Sequence, residues 1–154
     1  MSILPPELKR DGRSADPNFA PGERLFQRVD RDDVAKLGAR PSSLQIRFPT
    51  QSVNREKYSK PEWVLLPDWL HMGVIAFKVE DVPPSLTPEG GIPLEFRVEH
   101  VPEEENYAHS EIRTYRGDVY DEFLTVKSKT LKKVFRQRLA EQCQIIRVPG
   151  NAAY

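Results

Sequence analysis

The stretch at residues 93–116, PLEFRVEHVPEEENYAHSEIRTYR, decides the fold of this chain. Apolar residues alternate with charged ones at 94–99, which predicts a half-buried strand. A weaker alternation at 109–115 predicts a second strand, and the proline-led acidic segment between them is typical of a loop. Strands this close in sequence usually pair antiparallel, so we expect a β-hairpin.

The charges along the two strands predict their register. If Val101 lies opposite Tyr107, every outer-face pair joins opposite charges or a charge and a histidine, and the inner face is mostly apolar. Glu99 then faces His109. Such cross-strand pairs contribute roughly 0.2–1 kcal/mol each. A shift of one residue would send the apolar side chains to the wrong face of the sheet.

The same alternation bears on whether the histidines form a site. His100 and His109 have opposite parity, so we expect their rings on opposite faces, which argues against a shared metal ion. His109 and Glu111 share a face and are the candidate catalytic pair, although an exposed charge ladder is the plainer interpretation. For His100 we expect a hydrogen-bonded histidine at the edge of the core. Cys143 is the single cysteine, so the paired-cysteine motif of zinc deaminases is excluded, and no metal site or cofactor is predicted.

The composition excludes several classes of protein. The chain has 154 residues, with 23 basic and 23 acidic side chains, so its formal net charge is zero. Nothing in that balance demands a nucleic acid or an anionic membrane. No apolar run approaches the roughly 20 residues that a membrane-spanning helix needs, and the first residues lack the apolar core of a secretory signal. With one cysteine and no internal disulfide, the protein is expected to be cytoplasmic.

Proline spacing predicts an arm followed by one domain. Residues 1–22 hold four of the fourteen prolines among polar residues, which predicts an arm that is disordered or laid over a neighbour. Residues 23–150 are enough for a single core, and 151–154 form a tail. Further strands are expected at 24–29, 44–48, 73–82 and 144–148, and a loop is expected at 50–58. Short helices are expected at 31–37 and at 61–66, the second with capping-box spacing from Ser59 to Glu62. Trp69 and Leu70 are expected to pack on the core.

Residues 128–143 carry the clearest helical pattern. Apolar residues recur there at spacings of three and four, which predicts an amphipathic helix, and Ser128 or Thr130 is placed to cap it. We therefore expect a single α+β domain. It should contain an antiparallel or mixed sheet of about five strands, with this helix packed on one face.

Two groups of side chains are candidates for binding an anion. Basic residues gather at the start and middle of the predicted helix, where the dipole and free backbone N–H groups favour a phosphate. A solvated helix face is the plainer interpretation of that cluster. The second group combines arginines and serines with His109. The helix group is Lys127, Lys129, Lys132, Lys133 and Arg136, and the other is Arg28, Ser42, Ser43 and Arg47.

Four short motifs resemble, in their order, those of a set of small, uncharacterised bacterial proteins. They are LFQRV at 25–29, PSS at 41–43 before a predicted strand ending at Phe48, NYAHSE at 106–111 and KSKT at 127–130. The resemblance spans most of the chain after the arm. It implies a compact α+β protein and no particular activity.

Three functions are open, in this order of preference. The first is a non-enzymatic protein that binds another protein, with the arm as a contact, as an accessory subunit of a bacterial multi-protein system. The second is a small enzyme or a nucleotide- or phosphate-binding protein with a pocket of histidine, glutamate and arginine. The third is nucleic-acid binding through the basic helix. The first is preferred because no nucleophile and base form a pattern that specifies a reaction.

Overall fold

The computed structural model of the chain describes residues 4–31, 41–88, 90–120 and 128–146. Within these ranges the chain forms eight β-strands and one α-helix, joined by loops and short 3-10 turns. The strands are β1 (Arg24–Val29), β2 (Thr50–Arg55), β3 (Gly73–Lys78), β4 (Ser85–Leu86), β5 (Leu94–His100), β6 (His109–Arg116), β7 (Val119–Tyr120) and β8 (Gln144–Ile146), and the helix α1 spans Lys129–Gln142.

All eight strands pair antiparallel in one sheet, in the order β4-β5-β6-β2-β1-β3-β8, with β7 paired to β6. One sheet and a C-terminal helix confirm the α+β class in a single domain. The sheet exceeds the expected five strands because β2 comes from a polar stretch, and β4 and β7 are too short, at two residues each, to show an alternation. The tail at 151–154, and the expected helix at 31–37 after its first residue, lie outside the described ranges.

Helix α1 covers one face of the sheet, as predicted. The Ser128 Oγ accepts the Leu131 N–H at 3.2 Å and so caps the first turn. At the other end the Cys143 thiol is buried, and burial raises its pKa to about 12, so it is unreactive at neutral pH. The helix packs against strand residues that alternate along the sheet, namely Leu25, Val29, Val53, Ile75, Phe77, Leu94, Phe96 and Ile112.

The predicted hairpin forms from β5 and β6, but its register differs from the expected one by two residues. Val101 pairs with His109, not with Tyr107. The shift keeps every side chain on its predicted face. It leaves Tyr107 outside β6, where its N–H donates to the carbonyl of Leu8 in the arm, at 2.6 Å. The tip of the hairpin then closes on itself through a separate bridge from Glu103 to Asn106.

In the observed register, like charges lie directly opposite one another. Glu99 pairs with Glu111 and Arg97 with Arg113. The charges are balanced diagonally and along the strand instead, because Arg113 contacts Glu111 at 2.8 Å and Glu99 at 3.5 Å. The matched cross-strand pairs predicted from the sequence are therefore wrong, while the separation of charged and apolar faces is confirmed.

The central strand β2 is the largest departure from the sequence prediction. Residues 44–48 were expected to form a strand, but Ser43–Gln45 is a 3-10 turn. The strand is Thr50–Arg55, where a loop was expected. Its inward side chains include Gln51 and Arg55, which are buried and hydrogen-bonded. A strand with polar residues on both faces shows no apolar alternation, so its composition resembles that of a loop.

The segment between β2 and β3 is less regular than predicted. The expected helix is a 3-10 turn, Pro61–Leu65, without a side-chain cap. The Ser59 hydroxyl donates to the Lys60 carbonyl, so it does not form a capping box. Trp69 and Leu70 do not pack on the core; Trp69 is at the exposed limit and Leu70 is half exposed. Strand β3 is buried on both faces and lies next to the edge strand β8.

The described part of the arm lies over the domain of its own chain. Leu8 is buried, the Tyr107 hydroxyl donates to the Ser14 carbonyl at 2.7 Å, and the wholly buried Arg55 donates to the Asp16 and Asn18 carbonyls. The arm is therefore ordered, and it forms one wall of the site described below. Among the described residues, no helix has the length and apolar character needed to cross a bilayer.

Candidate functional site

The sheet face that α1 does not cover contains a cleft of about 870 Å³. Its floor is built from Arg28 on β1, Ser52 and Asn54 on β2, and His109 on β6. These residues alternate with the side chains that face the helix, so they project from the opposite face. The volume is typical of a small-molecule site.

Two loops and the arm form walls of the cleft. One wall comes from the segment around Trp63 and Trp69, and another from residues 103–106 at the tip of the hairpin. The arm contributes Leu4 and Leu8. A site assembled from segments this far apart in the chain is visible only in the folded molecule.

One end of the cleft is cationic. The Arg28 guanidinium carbon lies 3.6 Å from the centroid of the Trp69 ring, and burial lowers its pKa. No carboxylate in the described part of the chain forms an ion pair with it, in contrast to Arg97, which bonds Glu95 at 2.9 Å. Asp30 also lines this end, but it interacts with other groups. Arg28 is therefore a stacked guanidinium whose N–H groups are available to a ligand.

His109 is held in one orientation on the floor of the cleft. Its Nδ1 lies 2.8 Å from the Val101 carbonyl oxygen. Because a carbonyl only accepts, Nδ1 carries the proton and donates it, and Nε2 has no partner among the described residues. The Glu111 carboxylate bonds Arg113 and does not line the cleft. Among the described residues no hydrogen bond or ion pair joins His109 to Glu111, and their catalytic role stays a prediction.

A chain of hydrogen bonds fixes the orientation of two amides in the cleft. The Ser59 hydroxyl donates to the Lys60 carbonyl at 3.0 Å and accepts from Asn54 Nδ2 at 3.4 Å. Asn54 Oδ1 in turn accepts from Asn106 Nδ2 at 2.8 Å. The last atom of the chain, Asn106 Oδ1, is buried and has no donor among the described residues. Asn106 itself is held by backbone hydrogen bonds in both directions with Glu103.

The cleft brings together part of the second anion-binding group. Arg28, Arg47 and His109 all line it. Ser42 and Ser43 do not; the Ser42 hydroxyl accepts the Leu44 N–H and so caps the 3-10 turn.

The basic residues of the helix lie apart from the cleft, on α1. Lys129 and Lys133 are exposed, Lys132 and Arg136 are half-buried, and Lys127 lies outside the described residues. The aromatic side chain of the helix, Phe135, is buried in the core. No aromatic of α1 is therefore placed among these cations to stack on a nucleotide base.

Sequence reasoning did not single out Asn54, Asn106, Trp63 or Trp69 as site residues. The signal for Asn54 was present, because Thr50, Ser52 and Asn54 repeat with the period of a strand. That repeat was hidden because Gln51, between Thr50 and Ser52, is also polar. Asn106 and the tryptophans carry no local signal, since their shared position depends on how distant strands pair.

The cluster around His100 ties the arm to the sheet. His100 Nδ1 accepts the Asp16 N–H at 2.8 Å, and Nε2 bonds the Tyr107 carbonyl. The ring is buried against Tyr58 and Tyr107, and burial lowers its pKa. The prediction of a hydrogen-bonded histidine at the core edge is confirmed. Within the described residues, no group of three or more histidine, cysteine, aspartate or glutamate side chains could hold a metal ion.

In comparisons with protein-family models, curated proteins and solved structures, none matches the chain. The resemblance to small bacterial proteins therefore depends on its four motifs and stays a prediction.

Proposed function

We propose that this protein binds a small organic anion in the cleft, as a binding protein and not as a catalyst. The observation that carries the proposal is Arg28, which is half-buried, stacked on Trp69 and free of any carboxylate partner among the described residues. A guanidinium that loses solvent without gaining an anion is unfavourable. A phosphate or carboxylate on the ligand would supply the missing charge.

The geometry around Arg28 suits recognition of an oxyanion. The planar guanidinium offers N–H donors as a rigid fork that matches phosphate or carboxylate oxygens. The indole of Trp69 fixes the plane of that fork, which lowers the entropy lost on binding. Arg47 lines the same cleft and is exposed, so it adds a second positive charge that is still hydrated before binding.

The cleft does not favour catalysis. Ser52 and Thr50 line it, but neither hydroxyl bonds His109 among the described contacts. The Thr50 hydroxyl is engaged with Tyr120 at 3.1 Å. A nucleophile paired with its base is the usual signature of covalent catalysis, and this arrangement lacks the pair.

Isothermal titration calorimetry on the full chain tests the proposal, with ribose 5-phosphate and inorganic phosphate as probes. Arg28→Gln should weaken binding roughly tenfold or more, because a charge-assisted hydrogen bond is lost. Arg97→Gln is the matched control, since Arg97 stacks on Tyr115 at 4.0 Å but is already paired with a carboxylate. Equal affinity in the wild type and Arg28→Gln, or an equal loss in both variants, would contradict the proposal.

A second candidate function is binding of a protein partner. Ile92 and Val119 are exposed by 62% and 68% of their surface. Leu94, two residues after Ile92, pairs with Arg116, which also pairs with Val119. The two apolar side chains therefore lie at the same end of the sheet, away from the arm. Pull-down from the native host, comparing the wild type with an Ile92→Ser, Val119→Ser double variant, tests this candidate.

A further inference from the structure

We propose that the anion bound in the cleft is a sugar phosphate, whose hydroxyl groups bond Ser52 and His109. This inference rests on the proposed anion binding at Arg28, and it goes further by assigning the body of the ligand. It is carried by three polar side chains that lie side by side across the floor of the cleft. Within the described part of the chain, each of them keeps a hydrogen-bonding group without a partner.

The three side chains project from the same face of the sheet. Phe26 on β1 pairs with Asn54 on β2. Arg28 and Ser52 each lie two residues from that pair, so they are neighbours on the same face. Asn54 pairs in turn with His109 on β6, which places the His109 ring diagonally across from Ser52. All three residues line the cleft, so one small molecule can contact them together.

Other polar groups on this face are already bonded within the protein. The Thr50 hydroxyl bonds the Tyr120 hydroxyl at 3.1 Å, and the Glu111 carboxylate bonds Arg113 at 2.8 Å. Ser52 differs from them, because its side chain is exposed and no hydrogen bond joins its hydroxyl to another described residue. The floor therefore offers a ligand one open hydroxyl beside the Arg28 guanidinium.

The imidazole of His109 offers a ligand an acceptor. Its Nδ1 donates to the Val101 carbonyl at 2.8 Å, which leaves Nε2 with a lone pair and no partner among the described residues. The unpartnered polar side-chain atoms that are fully buried in those residues are Gln51 Oε1, Asn106 Oδ1 and Arg136 Nε. Nε2 is not one of them, so it keeps accessible surface. A ligand atom that bonds it must carry a hydrogen.

A sugar hydroxyl suits both of these groups. It can donate to Nε2, and it can either donate to or accept from the Ser52 hydroxyl. Arg28 and His109 lie on strands separated by β2, which is roughly 10 Å across the sheet. A sugar phosphate has its charge at one end and hydroxyl groups along the rest, which is the order that the floor presents. An ammonium group would also donate, but it would bring a positive charge towards Arg28.

Isothermal titration calorimetry on the full chain with two matched phosphates tests the inference. Tetrahydrofurfuryl phosphate has the phosphate and the five-membered ring of ribose 5-phosphate but no hydroxyl group. Ribose 5-phosphate should bind at least roughly tenfold more tightly, because two neutral hydrogen bonds are gained. Equal affinity for the two compounds would overturn the inference, and if both still depended on Arg28 the proposed function would stand. If neither compound binds, both proposals are wrong.

Substitution of His109 tests the acceptor itself. His109→Phe keeps a planar ring without the acceptor, so it should weaken ribose 5-phosphate binding at least roughly threefold and leave tetrahydrofurfuryl phosphate binding unchanged. His109→Gln keeps an acceptor and should retain part of the affinity for ribose 5-phosphate. An equal loss for both compounds in the phenylalanine variant would contradict the inference, because the ring would then only support the cleft.

Substitution of Ser52 tests the same hydroxyl recognition even if His109→Phe does not fold. Ser52→Ala changes an exposed side chain, and it should also weaken only ribose 5-phosphate binding. Ser85→Ala is the matched control, since Ser85 is an exposed serine on β4 that does not line the cleft. It should bind both compounds as the wild type does. The same loss of ribose 5-phosphate affinity in the two alanine variants would count against the inference.

Discussion

Arg55 is a wholly buried guanidinium that the fold surrounds with acceptors. Its Nε and Nη2 atoms each donate to the Glu23 carboxylate at 2.9 Å. The Asp16 and Asn18 carbonyls accept two further hydrogen bonds, at 2.7 Å and 2.6 Å, and Phe19 stacks against the guanidinium at 3.8 Å. A buried charge is tolerated only when it is paired and hydrogen-bonded in this way.

Replacing Arg55 should be one of the most damaging single changes in the chain. Arg55→Met would leave two backbone carbonyls without these donors. It would also remove the cation paired with the nearly buried Glu23 carboxylate, which keeps the Lys57 N–H at 3.2 Å. We expect the free energy of unfolding, measured by urea denaturation, to fall by roughly 3–5 kcal/mol. Arg24→Gln breaks a half-exposed pair with Glu56, and should cost less than roughly 1 kcal/mol. If both variants lose the same stability, the buried network is not what holds the arm.

Single residues also show which buried positions can be predicted from the sequence. The buried position of His100 follows from its parity on a strand with a clear alternation, so it could be predicted. Arg55 and Gln51 are equally buried, but a buried polar residue looks like an exposed one until its partners are known. The partner of Arg55, Glu23, lies 32 positions earlier, and no local pattern connects the two.

The arm, residues 4–22, is part of the fold at the scale of elements. It bonds the hairpin tip through Arg10 to the Glu104 carbonyl at 2.9 Å and the sheet edge through Asp16 to His100. Lys57 and the Tyr58 hydroxyl also bond the Asp16 carboxylate and hold its pKa well below its usual value. The arm thereby keeps the wall of the cleft that contains Leu4 and Leu8 in place.

Attachment of the arm should weaken in mild acid. His100 accepts the Asp16 N–H on Nδ1, so only the neutral ring fits, and burial lowers the pKa of the ring. Above about pH 6.5 the ring is neutral whether the protein is folded or unfolded, and the contact contributes fully. As the pH falls below that value the unfolded state binds the extra proton, and stability drops by at most about 1.4 kcal/mol per pH unit.

Urea denaturation between pH 7.5 and pH 5, with the Asp16 amide followed by NMR, measures this effect. His100→Gln keeps an acceptor and a donor but does not titrate, so its pH dependence over this range should be smaller. His71→Gln, at an exposed position, is the control and should behave like the wild type. The Asp16 carboxylate acts separately: its lowered pKa stabilises the fold above about pH 3.8, and that contribution is lost only in stronger acid.

At the scale of the whole molecule, the two faces of the sheet have different structural roles. One face packs against α1 and supplies the core, and the other contains the cleft. The helix and the hairpin could be predicted because their apolar periodicities are clear. The cleft could be predicted only in part: Arg28, Arg47 and His109 were candidates for chemical reasons, but their convergence depends on β2 pairing with β6.

The exposed end of the sheet, with Ile92 and Val119, makes the second candidate function testable on the intact protein. If a partner docks there, the double serine variant should lose that partner in pull-downs while its urea midpoint and ribose 5-phosphate binding stay unchanged, because both side chains lie outside the core and the cleft. A partner that is retained by the double variant would exclude this surface.

The position of β2 in the sheet has a consequence for synthesis. Its neighbour β6 ends at Arg116, so the floor of the cleft cannot close while a growing chain is shorter than that. Contacts between residues so distant in sequence also form slowly. During translation, β1 and β2 must therefore wait beside an unfilled sheet position, and the edge of β2 that later pairs with β6 stays open in that interval.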